Sequence, residues 1–211
     1  MLVKICGITR LEDAQAAVSA GAAALGFVFW PGSPRAVDPN LARAIAASLP
    51  PFITTVGVFA DQPAAFVNEV AGLVQLGAVQ LHGAETLDYV ASISRPVLKT
   101  VAIREGAASD IARVDEWPSR VLVLLDAHDP VRKGGTGRTV DWSVAAAIAR
   151  RRPVVLAGGL TSGNVGDAIE RVRPFGIDVS SGVEMTPGIK DHERIKALFE
   201  AVHGSSISAR P

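Results

Sequence analysis

The sequence predicts an α/β fold of one domain, a (β/α)8 or TIM barrel, on three observations. Short apolar runs rich in β-branched residues recur eight times, and each is followed by a segment with helical spacing. The runs are nearly continuous in hydrophobicity, as strands buried on both faces are. Eight such units in 211 residues sit at the lower size end of this barrel, where a doubly wound sheet would use fewer strands.

The units follow in order. Leu2–Cys6 precedes a helix over 11–20, Ala24–Phe29 one over 39–48, Ile53–Phe59 one over 63–71, and Ala78–Leu81 one over 85–92. Val97–Val101 precedes 107–113, Val121–Asp126 precedes 141–150, Val154–Ala157 precedes 163–171, and Ile177–Ser180 precedes 190–202. No Ser/Gly linker, charge block or low-complexity tract interrupts them, so residues 1–203 are expected to form one catalytic domain. The closing "GSSISARP", 204–211, loses apolar periodicity and is expected to fray.

Composition narrows the function. The 21 basic residues balance 21 acidic ones, leaving no net field for nucleic acid or an anionic membrane, so any bound anion needs a local site. The single cysteine rules out an intramolecular disulfide and fits a reducing compartment. With no signal-like start and no apolar run near 20 residues, the expected location is the cytoplasm. Nothing in the sequence sets the oligomeric state.

Barrel active sites lie at the C-terminal strand ends, and here those ends carry polar and glycine-rich residues. "LAGGL" and "DVSSGV" follow the seventh and eighth strands, where barrels commonly hold phosphate. Either segment alone reads more simply as a tight turn. Together they favour an anion cradle from the backbone at Gly158, Gly159 and Gly182, with Ser181 as a hydroxyl donor and helix dipoles behind. Ser180 either points into the barrel or caps a turn. Cys6 and Asp126 end the first and sixth strands, within reach of one small substrate, and pair as a candidate base and acid. Separately, each has a plainer reading, as a small buried hydrophobe and as a helix cap. Arg35, stiffened by Pro31 and Pro34, is placed to clamp a carboxylate through two N–H groups. Gln80 and His82 share one strand face, for a structural hydrogen bond or a substrate contact. Asp126, His128 and Asp129 read as a loop, and no metal is expected. "RKGGTGRTVDW" fits neither a P-loop nor a dinucleotide fingerprint, and reads as a lid or substrate wall.

Taken together, "KICGIT", "GFVFWPGSPR", "VGVF", "VQLHGAE", "LLD", "GGTGRTVDW", "LAGGLT", "DVSSGVE" and "PGIKD" resemble, in order and over nearly the whole chain, the phosphoribosylanthranilate isomerases of tryptophan biosynthesis. The resemblance implies a cofactor-free Amadori rearrangement of N-(5-phosphoribosyl)anthranilate, a phosphosugar, to 1-(2-carboxyphenylamino)-1-deoxyribulose 5-phosphate. It implies Cys6 as general base, Asp126 as general acid and Arg35 as binder of the anthranilate carboxylate, with phosphate at Gly158, Gly159, Ser181 and Gly182. Asp178 matches "DVSSG" and either supports substrate or orders the eighth loop. Gly7 is expected to leave room for substrate beside Cys6. The chain departs from the pattern at Val140, where an aromatic residue is common, and at Ser162 and Gly163, where proline and glutamate are usual. The related isomerase of histidine biosynthesis would place aspartate at position 6. A silent phosphosugar-binding protein would have no need of both Cys6 and Asp126.

Overall fold

A computed structural model describes residues 1–104, 109–127 and 139–208, with eight parallel strands closed into a barrel in chain order. The strands are β1 (Leu2–Cys6), β2 (Ala24–Val28), β3 (Thr54–Phe59), β4 (Ala78–Leu81), β5 (Val97–Ile103), β6 (Leu122–Ala127), β7 (Val154–Leu156) and β8 (Gly176–Val179). The surrounding helices are α1 (Leu11–Ala20), α2 (Pro39–Ala47), α3 (Ala64–Val74), α4 (Leu87–Ala91), α5 (Ser109–Asp115), α6 (Trp142–Ala149), α7 (Val165–Val172) and α8 (His192–Ser208). Among the described residues no helix is long and apolar enough to cross a membrane.

Strand alternation divides the core. On β1, Val3 and Ile5 join Leu25, Phe27, Ala14 and Ala17 between barrel and helices, while Cys6 packs with Val28 and Val58 inside the barrel. Leu124, Val155 and Ala157 form the interior opposite. Closure follows the register, in which Lys4 pairs Ala24 of β2 on one side and Asp178 of β8 on the other.

Local chemistry sets the helix starts. Asp38 accepts from the Asn40 and Leu41 amides before Pro39 opens α2, Thr86 caps α4, and Asp141 caps α6. The last helix differs most from expectation. Asp191 Oδ1 accepts from the Glu193 and Arg194 amides, so α8 starts at His192 and not at 190. Lys190 instead belongs to a hairpin of β9 (Glu184–Thr186) and β10 (Ile189–Lys190), reached through a 3-10 turn at Ser181–Val183. These elements are too short for periodicity to register. At its other end α8 continues through Ser208, five residues into the segment expected to fray, with Ser205 Oγ donating to the Ala201 carbonyl. Residues 209–211 lie outside the described part, as do 107 and 108 of the expected fifth helix.

The hairpin is tied to the barrel by Asp13 of α1, a fully buried carboxylate. It accepts from Arg10 at 2.7 and 3.0 Å, from the Lys190 amide at 3.0 Å, and pairs with His192 at 2.9 Å. Burial alone would raise its pKa, but these donors hold it below the ordinary carboxylate range. Asp13→Ala orphans the buried Lys190 N–H, so a loss of about 1–3 kcal/mol in urea unfolding is expected. Because the folded-state pKa is depressed, the stabilisation is present above the unfolded value and is lost as pH falls through the folded one. The wild-type minus mutant difference should therefore shrink in acid.

Candidate active site

A cavity of about 560 Å³ opens at the C-terminal strand ends, a size suited to a small phosphosugar. Cys6, Arg35, Gln80, His82, Asp126, Gly158, Gly159, Asp178, Ser181 and Gly182 all line it, as do Trp30 and Ser180. The sequence-nominated residues are thus brought together, from six strands and the loops after them.

Cys6 is buried at the end of β1. Burial pushes its thiol above the ordinary range and Asp178 adds to this, while the Lys4 and Lys190 ammoniums pull the other way. Gly7 follows with φ of +78°, a left-handed conformation that glycine adopts freely. A Cβ there would lie 2.7 Å from Arg35 Cδ and 3.2 Å from Ser180 Oγ. Gly7 therefore makes room for the Arg35 stem, not directly for substrate as the sequence reading expected.

Arg35 is nearly buried and already engaged. Its Nε lies 2.9 and 3.2 Å from the two carboxylate oxygens of Glu184, and its Nη2 lies 2.6 Å from Oε2. Glu184 also receives Lys190 Nζ at 2.8 Å, and these cations hold its carboxyl low against the effect of burial. One edge of the guanidinium is thus spent inside the protein. Among the described residues nothing is bonded to Nη1, so a ligand carboxylate would meet the Nη1 and Nη2 end of the fork.

Asp126 is oriented from both sides. Its Oδ1 accepts from the Ala127 amide at 2.8 Å, and its Oδ2 lies 3.4 Å from His82 Nε2. Gln80 Nε2 and Thr100 Oγ1 reach His82 Nδ1 at 3.2 and 3.3 Å. These contacts fix the plane of the imidazole and turn Nε2 toward Asp126. Gln80 therefore makes the structural hydrogen bond that the sequence left open, while also lining the cavity.

The two glycine loops meet over β7 and β8, between Asp126 and Cys6 in the barrel order. Gly158 has φ of +82°, and a Cβ on it would lie 3.1 Å from Asp126 Oδ1 and from Val140 Cγ2. Its bareness lets the seventh loop pass close to Asp126, and Val140 is the buried wall at the position where the family pattern commonly has an aromatic residue. At Gly182 a Cβ would fall 1.9 Å from the Leu160 carbonyl oxygen, so only glycine lets the two loops touch. Asn164 leaves the α7 cap position uncapped by its side chain and braces the seventh loop, accepting from Thr161 N and donating to Gly159 O at 2.8 and 2.9 Å. α7 accordingly starts at Val165, two residues later than the expected 163. Ser180 caps nothing, and its buried Oγ has no partner among the described residues.

His128, Asp129 and the GGTG segment lie outside the described residues. Among the described residues no group of three His, Cys, Asp or Glu side chains is arranged to hold a metal.

The family model described as N-(5'phosphoribosyl)anthranilate (PRA) isomerase matches residues 3–201. The chain belongs to this isomerase family. It is 51% identical over 203 residues to the N-(5'-phosphoribosyl)anthranilate isomerase of Pseudomonas savastanoi pv. phaseolicola, covering 96% of this chain and 97% of that one. The phosphoribosyl anthranilate isomerase structure from Thermotoga maritima superposes with a TM-score of 0.89 at 44% identity, over 97% of this chain and all of that one. A phosphoribosyl anthranilate isomerase in complex with reduced 1-(o-carboxyphenylamino)-1-deoxyribulose 5-phosphate superposes with a TM-score of 0.85 at 42% identity, over 97% and 100%.

In this isomerase barrel, sequence reasoning gave no role to Lys4, Thr100, Asn164, Glu184 or Lys190. Lys4, Glu184 and Lys190 fall inside quoted motifs, and the signal available was a charged residue in an otherwise buried run. Which charges pair across 149 or 174 positions is a property of closure that spacing does not carry.

Proposed function

We propose that this chain isomerises N-(5-phosphoribosyl)anthranilate to 1-(2-carboxyphenylamino)-1-deoxyribulose 5-phosphate, in the tryptophan branch of a cytoplasmic pathway. The observation that supports the reading most is the convergence of Cys6, Asp126, Arg35 and both glycine loops on one cavity of matching size. The reaction needs an acid to protonate the ribose ring oxygen, so that the C1–O bond breaks and the ring opens to an iminium. A base must then take the C2 proton, leaving the C–H electron pair to form the enolamine that tautomerises to the ketone. Asp126 is assigned the first role and Cys6 the second. His82 and Gln80 line the sugar, and Asp178 lies beside the base. Backbone amides around Gly158, Gly159 and Gly182, with the Ser181 hydroxyl, receive the phosphate. The Arg35 end takes the anthranilate carboxylate. No cofactor enters these steps.

The test is loss of substrate fluorescence when purified protein is mixed with freshly made phosphoribosylanthranilate; no turnover would leave a phosphosugar-binding protein. Recognition is tested by Arg35→Met. Glu184 keeps Lys190 Nζ and the Gly188 amide at 2.8 and 3.2 Å, so the fold should survive the loss of the guanidinium. Charge-assisted hydrogen bonds contribute about 1.5–3 kcal/mol, so affinity for the reduced product analogue should fall about 10- to 100-fold. Ribose 5-phosphate should weaken by less than about threefold. Equal losses would assign Arg35 to the phosphate or to loop structure.

A further inference from the structure

Lys4 is a buried lysine that the proposed steps leave without a task. It precedes Cys6 by two on β1, so alternation places both side chains on the interior side. Gly26 of β2 stands opposite Cys6 in register, and a Cβ there would lie 2.7 Å from Cys6 Sγ and 3.1 Å from Lys4 Cε. The space an absent side chain leaves is thus where thiol and lysine stem converge. On the other flank Lys4 Nζ is bonded to its register partner Asp178 at 2.9 Å.

Two buried ammoniums face this corner, and they are spent differently. Lys190 Nζ donates to the carbonyls of Cys6 and Ser180 and to Glu184, at 2.5, 3.3 and 2.8 Å, which uses all three of its protons. Lys4 Nζ donates to Asp178, and among the described residues its remaining side-chain interaction is with Cys6. The charged and titratable groups around the site are Lys4 on β1, Arg35 after β2, His82 after β4, Asp126 on β6, Asp178 on β8, and Glu184 and Lys190 on the hairpin. Of these, Lys4 and Lys190 favour an anion at Cys6 and Asp178 opposes it.

We infer that Lys4 is the positioning residue of the Cys6 base, its Asp178-anchored ammonium supplying the charge that a thiolate at Cys6 balances. Lys4 does not line the cavity and acts only through Cys6. Burial works against its charge, yet Asp178 and Cys6 hold its pKa above the ordinary lysine range. The inference rests on Cys6 being the base.

Cys6 is the only thiol of the chain, so iodoacetamide alkylation followed against pH reads its ionisation alone. Lys4→Met and Asp178→Asn break the same 2.9 Å pair, and damage to packing would move the thiol alike in both. The charge assignment requires opposite shifts. An opposite charge nearby commonly shifts a pKa by about 1–3 units, so Lys4→Met should slow alkylation below the thiol pKa at least about tenfold. Asp178→Asn should speed it, and Lys4→Arg should stay near wild type. Shifts of the same sign, or none, overturn the proposal. Should Lys4→Met fail to fold, Asp178→Asn decides alone, since an unmoved or slower thiol overturns it equally. A Cys6→Ser enzyme that still turned over would remove the base assignment and leave the thiol titration standing, so the two failures are distinguishable.

Discussion

Cys6→Ser is expected to lose about 100- to 10,000-fold in kcat, the usual worth of a general base, with the barrel intact. The substitution changes one atom in a site where Val28 and Val58 already fill the neighbouring space. Binding of the reduced product analogue should hold within about threefold, because Arg35 and the glycine loops are untouched. What fails is proton abstraction. A serine hydroxyl is far too weak an acid to be present as its anion, even beside Lys4 and Lys190, so the C2 proton has no acceptor of adequate basicity. A mutant whose kcat stays within threefold of wild type would remove Cys6 from the chemistry and leave it as a small residue packed against Gly26.

That single-atom dependence explains which parts of the site were readable in the sequence. A strand ending in Cys-Gly, another ending in Asp, a glycine pair after strand seven and Ser-Gly after strand eight are local features, and β/α periodicity alone places them around one mouth. The supporting charges were not readable in that way. Arg35 reads as an open carboxylate clamp until Glu184 is found against its Nε edge. Lys190 reads as the first residue of a helix until Asp191 is found capping that helix and Asp13 holding the Lys190 amide. Each pairing depends on a hairpin of three and two residues, shorter than any period can reveal. Gly7 and Gly26 belong to the same class. They look like turn and strand glycines, yet they are bare because Arg35, Cys6 and Lys4 occupy the space their side chains would need.

Asp126→Asn keeps the shape of the side chain and can still hydrogen-bond, yet it cannot deliver a proton to the ribose oxygen, so ring opening should fall about 100- to 10,000-fold. The structure makes this substitution unusually conservative. The asparagine oxygen can go on accepting from the Ala127 amide, as Oδ1 does at 2.8 Å, and Gly158 leaves the room that either side chain uses. The pH dependence gives the sharper test. Wild type needs thiolate and carboxylic acid in the same molecule, two demands that yield a bell whose limbs belong to the pair. Removing the acid leaves one titration. Burial raises the Cys6 pKa over the pull of Lys4 and Lys190, so thiolate appears only as pH climbs through that raised value. Residual Asn activity should therefore rise monotonically toward alkaline pH with no descending limb. Single-turnover measurements are the proper comparison, because slow product release in wild type would mask the limb. Wild-type rates in the Asn variant would transfer the proton donation to the next group in line. That group is His82, whose Nε2 lies 3.4 Å from the same carboxylate and whose Nδ1 contacts Gln80 and Thr100. His82→Asn in the Asp126→Asn background would then abolish what remained, whereas with Asp126 as the acid it should add little to a loss already made.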